Sequence, residues 1–294
     1  MNPTESIFDQ LRPRLFGIAY RMLGVAADAE DVVQDAWLRW RETEVSELRS
    51  AEAWLVTIVT RLAIDRLRSV KTERESYIGT WLAEPLVADS PMPPDLALEM
   101  ADDMSMALLA VLERLTAEER AAFLLREVFD TDYADVAATL GKNEAACRQL
   151  VHRAKTRVRE TRPRFAVPRS EHLRLIEQFA AAARRGDIHE ISALFTDDAV
   201  LISDGGGKVS SFLKGIRGAR RLAQLYFAVA RRSLIGSSGP IRLEIVDVNG
   251  TPGILRFIGG KLESVQTFDI EDGRISAVYA QRNPDKLANI SVSH

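Results

Sequence analysis

Cysteine is almost absent from this sequence, since Cys147 is the only one among 294 residues. One thiol cannot form an internal disulfide and leaves no cysteine cluster for a zinc or iron–sulfur centre, which is typical of a reducing compartment. No apolar run approaches the roughly 18 residues that span a bilayer. The opening MNPTESIFDQ lacks the basic and then apolar layout of a secretory signal. We therefore expect a cytoplasmic protein with no membrane partner, no metal and no cofactor.

The composition is that of a globular protein, with 46% hydrophobic and 28% charged residues. A chain of 294 residues is long enough for two or three domains. Proline and glycine gather between about Glu73 and Asp95, and again in RPRFAVPRS from Arg162 to Ser170, which indicates two breaks. Strand-like sequence begins only near Ala199. We predict a helical domain over 1–72, a linker over 73–104, a second helical domain over 105–164 and a mixed domain over 170–294.

The segment DAEDVVQDAWLRW, from Asp28 to Trp40, has the pattern of an amphipathic helix. Val33 and Trp40 belong to an apolar stripe spaced at i, i+3, i+4 and i+7, whereas Asp31 and Asp35 fall on the opposite side. The periodicity alone does not distinguish a solvated acidic face from a protein interface.

The next helix, AWLVTIVTRLAIDRLRSVK, is predicted to bury one apolar stripe that includes Leu55, Ile58 and Leu62. Its other side is basic and carries Arg61, Arg68 and Lys71. Such an edge can neutralise nucleic-acid phosphates, although basic helix faces are often only solvated.

The segment TDYADVAATLGKNEAACRQLVHRAKTRVR predicts a helix-turn-helix. Gly141 can take the positive φ that a tight turn needs, and Asn143 is a suitable N-cap for the second helix. Cys147 and Val151 lie on the inward stripe of that helix, so the cysteine is interpreted as a core residue. The outward face is suited to a DNA major groove, because Arg and Gln can contact base edges and cations can hold phosphates. It carries Arg148, Gln149, His152 and Lys155, with Arg153 at its margin.

Together these segments resemble regions two and four of bacterial extracytoplasmic-function (ECF) sigma factors, over Ser6 to about Arg164. The resemblance implies core RNA polymerase (its β′ clamp and its β subunit) and promoter DNA as partners. Many family members have asparagine where this chain has Arg61, so the details of minus-ten recognition do not transfer at that position. The implied roles are polymerase docking for Asp31, Gln34 and Asp35, minus-ten contact for Arg61, Arg68 and Lys71, and minus-thirty-five contact for Asn143, Arg148, Gln149, His152, Arg153 and Lys155.

Three further motifs resemble the subgroup of these sigma factors that carries a fused SnoaL-like extension. They are YIGTWLAEPLV in the linker, DGGGK and NPDKL. The linker in that subgroup usually has proline where this chain has Ala83. The resemblance implies a regulatory contact formed by Trp81, Leu82, Glu84, Pro85, Asp204, Gly205, Gly206, Gly207, Lys208, Asn283, Pro284, Asp285, Lys286 and Leu287.

The C-terminal sequence predicts helices followed by an antiparallel sheet, in the runs IRLEIVDV, GILRFIG, LESVQTFDIEDG and RISAVYAQR. This α+β layout matches the cone-shaped SnoaL-like or NTF2-like fold, which encloses a pocket. The pattern leaves open whether the pocket binds a ligand. Candidates for acid–base chemistry are His189, Asp197, Asp198 and Asp204, although DIHE and TDDA are more simply a helix start and a turn.

The DGGGK segment does not fit a phosphate-binding loop. Such a loop needs four residues between its glycines, Ser or Thr after its lysine, and a helix to follow, whereas Val209 follows Lys208 here. From the residues alone we favour a wide hairpin turn in which Asp204 and the glycines take positive φ.

The fold class predicted for the whole chain is two all-α sigma domains, the second a helix-turn-helix, followed by an α+β SnoaL-like domain. The predicted function is promoter-specific transcription initiation, with the fused domain regulating activity in place of a separate anti-sigma factor and with no enzymatic activity. Two alternatives stay open. A helix-turn-helix regulator that senses a small molecule would bind DNA without polymerase, and a SnoaL-like enzyme would turn over a substrate regardless of DNA.

Overall fold

The structure is a computed structural model that describes residues 3–44, 48–87, 104–159, 167–212, 214–236 and 239–290. Some parts of the predicted domains and linker lie outside the described residues, namely 1–2, 45–47, 88–103, 160–164, 213, 237–238 and 291–294. The chain forms two compact units, and the boundary between them falls inside the predicted linker. The first unit ends at Ser76 and resumes with the second helical region, whereas Tyr77–Val87 belongs with the C-terminal unit.

The first helices of the first unit bury the faces predicted from their sequences, except that α3 differs in part. Trp40 is fully buried on α2, and Ser50 caps α3 by accepting a hydrogen bond from the Ala53 amide at 3.2 Å. The predicted stripe of α3 is only partly right: Leu55 is buried, Ile58 and Leu62 are only half-buried, and Val56, Ala63 and Leu67 are buried as well. The helices are α1 (Pro3–Leu23), α2 (Ala26–Arg41), α3 (Ala51–Ser69) and α4 (Lys71–Glu75).

The second helical region contains the predicted helix-turn-helix. Gly141 ends the first helix of the pair at φ +64, and the Asn143 side chain caps the second by accepting a hydrogen bond from the Ala146 amide at 2.8 Å. Cys147 and Val151 are buried as predicted. The helices are α5 (Met106–Leu112), α6 (Ala117–Phe123, continued by a π-helical turn over Leu124–Val128), α7 (Tyr133–Leu140) and α8 (Glu144–Arg159).

The C-terminal unit confirms the predicted α+β class, with a six-stranded sheet in the order β2-β1-β6-β5-β4-β3. The four predicted runs, β3 to β6, pair antiparallel as expected. The sheet as a whole is mixed, because β1 pairs with β6 in parallel. The long connection between these two strands, which contains a helix and four strands, permits the parallel pairing. The elements are α9 (Arg169–Arg185), α10 (Ile188–Ala193), β1 (Phe195–Asp204), β2 (Ile216–Arg217), α11 (Ala219–Leu234), β3 (Ile241–Val248), β4 (Thr251–Ile258), β5 (Lys261–Glu271), β6 (Arg274–Gln281) and α12 (Pro284–Leu287).

Both faces of this sheet are covered, because successive side chains of a strand point to opposite sides. On one face the aromatic rings of Phe179, Phe195, Tyr226 and Phe268 pack together in the main core with α9 and α11. A smaller core on the other face contains Val87 from the linker, which forms a β-bridge with Val248. The sheet therefore has helices on one face and the linker segment on the other.

Candidate functional site

The three acidic and amide residues predicted on α2 lie on one exposed stripe. Asp31, Gln34 and Asp35 are all exposed, whereas Asp28 pairs with Arg66 at 2.7 Å. The stripe also contains Leu38, whose side chain is 49% exposed. Sequence reasoning missed this leucine, although it lies seven residues after Asp31 and therefore on the same side of the helix. Leu38 thus adds one apolar side chain to an otherwise polar and acidic stripe.

The basic edge of α3 contacts the helix-turn-helix within the first unit. Arg61 donates from Nε to the Thr139 carbonyl and from a terminal nitrogen to the Ala138 carbonyl, each at 2.9 Å. Both carbonyl groups belong to the last turn of α7, where the helix dipole favours a cation. Arg68 pairs with Glu118 at 3.2 Å, and Lys71 pairs with Glu75 at 3.6 Å. Arg61 and Arg68 must therefore exchange these partners before they can contact DNA.

The outward face of α8 holds three of the six residues predicted to contact DNA. Gln149 and His152 are exposed. Arg148 is also exposed and pairs with Glu144 at 2.7 Å, while its guanidinium lies 4.6 Å from the Tyr133 ring centroid. This surface ion pair is weak enough to exchange for a base or a phosphate.

Three further cations of α8 fasten the helix to the rest of the first unit. Arg153 and Arg157 bind the buried Glu119 carboxylate at 2.9 and 2.6 Å, and Lys155 pairs with Glu127 at 2.6 Å. Burial opposes ionisation of Glu119, but hydrogen bonds from Arg153 and Thr116 lower the pKa of its carboxyl below the usual value. Arg153 and Lys155 thus position α8, and Asn143 caps it.

A buried carboxylate at the end of β1 organises the C-terminal unit's contact with the linker segment. Asp204 has no exposed surface. Its Oδ1 accepts hydrogen bonds from the Tyr77 hydroxyl at 2.7 Å and the Gly206 amide at 2.9 Å. Its Oδ2 accepts from the Leu82 amide at 3.0 Å, from Gln281 Nε2 at 3.2 Å and from Lys286 Nζ at 2.8 Å. We call Asp204, Tyr77, Leu82, Gln281 and Lys286 the linker clamp.

The linker clamp satisfies its buried charges with further contacts. Lys286 Nζ also donates to the Leu82 carbonyl at 2.6 Å and lies 3.9 Å from the Trp81 ring centroid. Gln281 Nε2 donates to the carbonyls of Leu82 and Ala83 at 3.1 Å each. Burial and the hydrogen bond to Asp204 raise the pKa of Tyr77 above its ordinary value, so its hydroxyl stays a donor. The desolvation of the ion pair is therefore offset by directed hydrogen bonds.

All three motifs attributed to the regulatory contact meet at the linker clamp. Asn283 accepts from the Asp285 amide at 3.1 Å, which caps α12, and donates to the Tyr77 hydroxyl at 2.9 Å. At the exposed rim, Lys208 pairs with Asp285 at 2.5 Å. Sequence reasoning assigned no role to Tyr77, which is the first residue of YIGTWLAEPLV, or to Gln281, which lies two residues before NPDKL. The remaining predicted residues are Glu84, Pro85 and Leu287, which are buried, and Pro284, which opens α12.

The glycines of DGGGK allow a close approach of the loop to α12 and to the linker. Gly206 has φ +61, and a Cβ there would lie 2.5 Å from Cγ of Asn283. Gly207 has φ +70 and lies against Ile78. Positive φ was also predicted for Asp204 and Gly205, which was wrong: Asp204 ends a strand, and φ of Gly205 is not positive. Gly205 accepts hydrogen bonds from the amides of Lys208 and Val209, which closes the turn.

Gly206→Ala is expected to destabilise the C-terminal unit more than Gly260→Ala does. Both positions have positive φ, which costs an L-residue about 1–2 kcal/mol, but the added Cβ meets nothing within 4 Å at Gly260. Overpacking against Asn283 adds a further ~1–3 kcal/mol at Gly206. Urea unfolding of both variants measures the difference, and equal losses would show that the close contact is unimportant.

The residues considered for acid–base chemistry do not converge. His189, Asp197 and Asp198 are exposed, whereas Asp204 is buried in the linker clamp. Asp187 of DIHE caps α10 by accepting from the amides of His189 and Glu190 at 3.0 Å each, as the simpler interpretation predicted. The turn predicted at TDDA was wrong, because these residues belong to β1. Within the ranges that the structure describes, no three His, Cys, Asp or Glu side chains cluster as metal ligands, and no helix is long and apolar enough to cross a membrane.

A helix-turn-helix preceded by a helical region with an acidic stripe and a basic edge defines a class of DNA-binding transcription protein. Family models bear this out: Sigma-70 region 2 matches residues 7–73, and Sigma-70 region 4 matches residues 105–158. The chain belongs to the ECF RNA polymerase sigma factors. It is a subunit that binds core RNA polymerase and promoter DNA and directs transcription initiation, and it carries a C-terminal SnoaL-like domain.

The similarity to known sigma factors extends over the whole chain. The ECF RNA polymerase sigma factor SigJ of Mycobacterium tuberculosis is 34% identical over 293 residues, covering 96% of this chain and 92% of the relative. SigG of the same organism is 27% identical, covering 92% and 78%. The crystal structure of M. tuberculosis SigJ superposes with a TM-score of 0.78 at 33% identity, covering 98% of this chain and 99% of that one. The C-terminal unit is thus part of the matched architecture.

Proposed function

We propose that the exposed stripe of α2 docks on the β′ clamp of core RNA polymerase. Asp31, Gln34, Asp35 and Leu38 present carboxylates around an apolar side chain, which suits a basic partner surface with an apolar pocket. Contact with the β subunit is part of the same proposal. The chain then acts in the cytoplasm, where the polymerase is, and its mechanism is binding without covalent chemistry.

Promoter contact is assigned to two faces of the first unit. Arg61, Arg68 and Lys71 would contact the minus-ten element once Arg61 and Arg68 leave their partners in the helix-turn-helix region. The exposed residues of α8 would read the minus-thirty-five element in the major groove. Under this proposal the described state would be a closed one, because Arg61 and Arg68 contact residues of the helix-turn-helix region.

The linker clamp would regulate the chain in cis, and the observation that carries this proposal is the burial of Leu82 against Asp204, Gln281 and Lys286. An extended chain spans at most about 3.3–3.6 Å per residue. If the linker is docked as far as Val87, residues 88–104 span at most about 60 Å between the docked segment and the second sigma region. Docking would therefore tether both DNA-binding regions to the C-terminal unit and limit their arrangement, as a separate anti-sigma factor could.

Two variants, Gln149→Ala and Arg153→Ala, distinguish residues of α8 that contact DNA bases from residues that hold the helix in place. Gln149 is exposed, so its loss is expected to leave the unfolding free energy unchanged and to weaken minus-thirty-five binding by about 1–3 kcal/mol at one base pair. Arg153→Ala removes a partner of buried Glu119 and is expected to destabilise the first unit.

Promoter binding by the reconstituted holoenzyme, measured on single-base variants of one promoter, checks these expectations. Gln149→Ala should relax discrimination at one position of the minus-thirty-five element. An unchanged base preference would contradict the assignment of α8 as the reading helix.

A further inference from the structure

A cavity of about 290 Å³ lies on the helix-covered side of the C-terminal sheet, opposite the linker clamp. Alternation along β1 places Ser203 in the cavity wall and Asp204 on the other face. The volume is at the lower end of the range for small-molecule sites. Much of the wall is apolar, formed by Leu201, Phe212, Leu225, Val229, Ile241 and Ile258.

One part of the wall is charged, because a β-bulge turns an extra side chain toward it. Between β4 and β5, Arg256 pairs with Ser264 and Phe257 pairs with Leu262, so Glu263 has no opposite residue. Its carboxylate binds Arg256 Nε at 2.7 Å and Arg282 Nε at 2.6 Å. All three charged side chains line the cavity.

The charge of this group is positive. Burial opposes ionisation of Glu263, but the two guanidinium groups lower the pKa of its carboxyl below the usual value. The carboxylate is therefore ionised at neutral pH and neutralises only one of the two arginines. Arg232 also lines the cavity, so the wall carries more arginines than carboxylates and favours an anionic ligand.

The cavity also presents a buried hydroxyl that has no partner. Ser203 is 1% exposed, and its Oγ makes no hydrogen bond within the part of the chain that the structure describes. Nearby, the Tyr226 hydroxyl donates to Gln266 Oε1 at 2.9 Å, and Gln266 Nε2 donates to Ser264 at 3.1 Å. Because buried polar groups are normally satisfied, an unpaired Ser203 hydroxyl in a cavity wall indicates a missing acceptor.

We propose that this cavity binds a small organic acid with an apolar ring or chain. Its carboxylate accepts from the Ser203 hydroxyl and lies beside Arg256 and Arg282, while its apolar part packs against Leu225 and Val229. The cavity has room for about one ring, because a drug-sized ligand needs a larger volume. The site is distinct from the linker clamp and does not depend on how the clamp acts.

Calorimetric titration of the full-length protein tests this site with benzoate and cyclohexanecarboxylate, and with their neutral amides as matched probes. Both acids should saturate one site, and each amide should bind at least about tenfold more weakly, since a charge-assisted hydrogen bond is lost. The proposal would be overturned if neither acid saturated the site at concentrations on the order of tens of millimolar, or if acid and amide bound with equal affinity.

Two variants locate the binding. Val229→Trp fills the cavity and should abolish binding of both acids. Ser203→Ala should weaken acid binding by about tenfold without lowering the melting temperature, because its hydroxyl has no protein partner to lose. If Ser203→Ala binds the acids as tightly as the unaltered protein, the proposed carboxylate position is wrong, whether or not the tryptophan variant folds.

Discussion

Asp204→Asn is expected to release the linker segment and to lower the unfolding free energy of the C-terminal unit by about 3–5 kcal/mol, the usual cost of removing one partner of a buried ion pair. The asparagine has nearly the same volume, so no cavity forms. However, it leaves the Lys286 ammonium buried without a counter-ion and places an amide group among the donors of Tyr77, Leu82 and Gln281. Urea unfolding measures the loss, and limited proteolysis between residues 77 and 87 measures the release.

Lys208→Ala is the matched control, because it removes an ion pair at the exposed rim of the same site. Its cost should stay within about 1 kcal/mol. Adding Lys286→Met to Asp204→Asn should recover part of the stability, since the unpaired charge is then absent. A loss for Asp204→Asn no larger than that for Lys208→Ala would contradict the burial and pairing described for Asp204.

Asp35→Lys is expected to reduce the affinity for core RNA polymerase on the order of a hundredfold, as substitution of a central interface residue commonly does. The side chain is exposed and lies on the stripe with Asp31 and Leu38, so the fold should tolerate the lysine. Competition for core polymerase against the unaltered chain, followed by native gel or fluorescence, measures the affinity.

Glu177→Lys is the control for that experiment, because it makes the same change of charge at an exposed position of α9 in the C-terminal unit. It should leave core binding within about twofold, given the salt screening of remote surface charges. If both variants lose affinity equally, net charge rather than the α2 stripe determines binding, and the docking proposal is wrong.

Local patterns predicted most of the helical part. The inward stripe of α8, the Asn143 cap and the Gly141 turn depend on residues within four positions of one another, and the structure confirms each. The stripe of α3 was predicted too narrow, because Val56, Ala63 and Leu67 are buried in addition to Leu55. A helix that packs on several partners buries more than half of its circumference, so a single apolar stripe does not describe it.

Contacts between distant residues could not be predicted in this way. The parallel pairing of β1 with β6 joins Phe195 and Ile275, and the clamp joins Tyr77 and Asp204 across 127 positions. Periodicity carries no information at that range. The three motifs at the linker clamp were recognised through a family resemblance, whereas Gln281 and the β-bulge at Glu263 became evident only from the fold.

Promoter-specific initiation is the measurement that tests the central claim most directly. Purified full-length protein is added to core RNA polymerase and a library of promoter templates, and transcripts are sequenced from their 5′ ends. We predict initiation from a small set of templates that share minus-ten and minus-thirty-five elements, and none from core polymerase alone. Tight DNA binding without polymerase, together with no holoenzyme and no specific transcript, would contradict the assignment as a sigma factor.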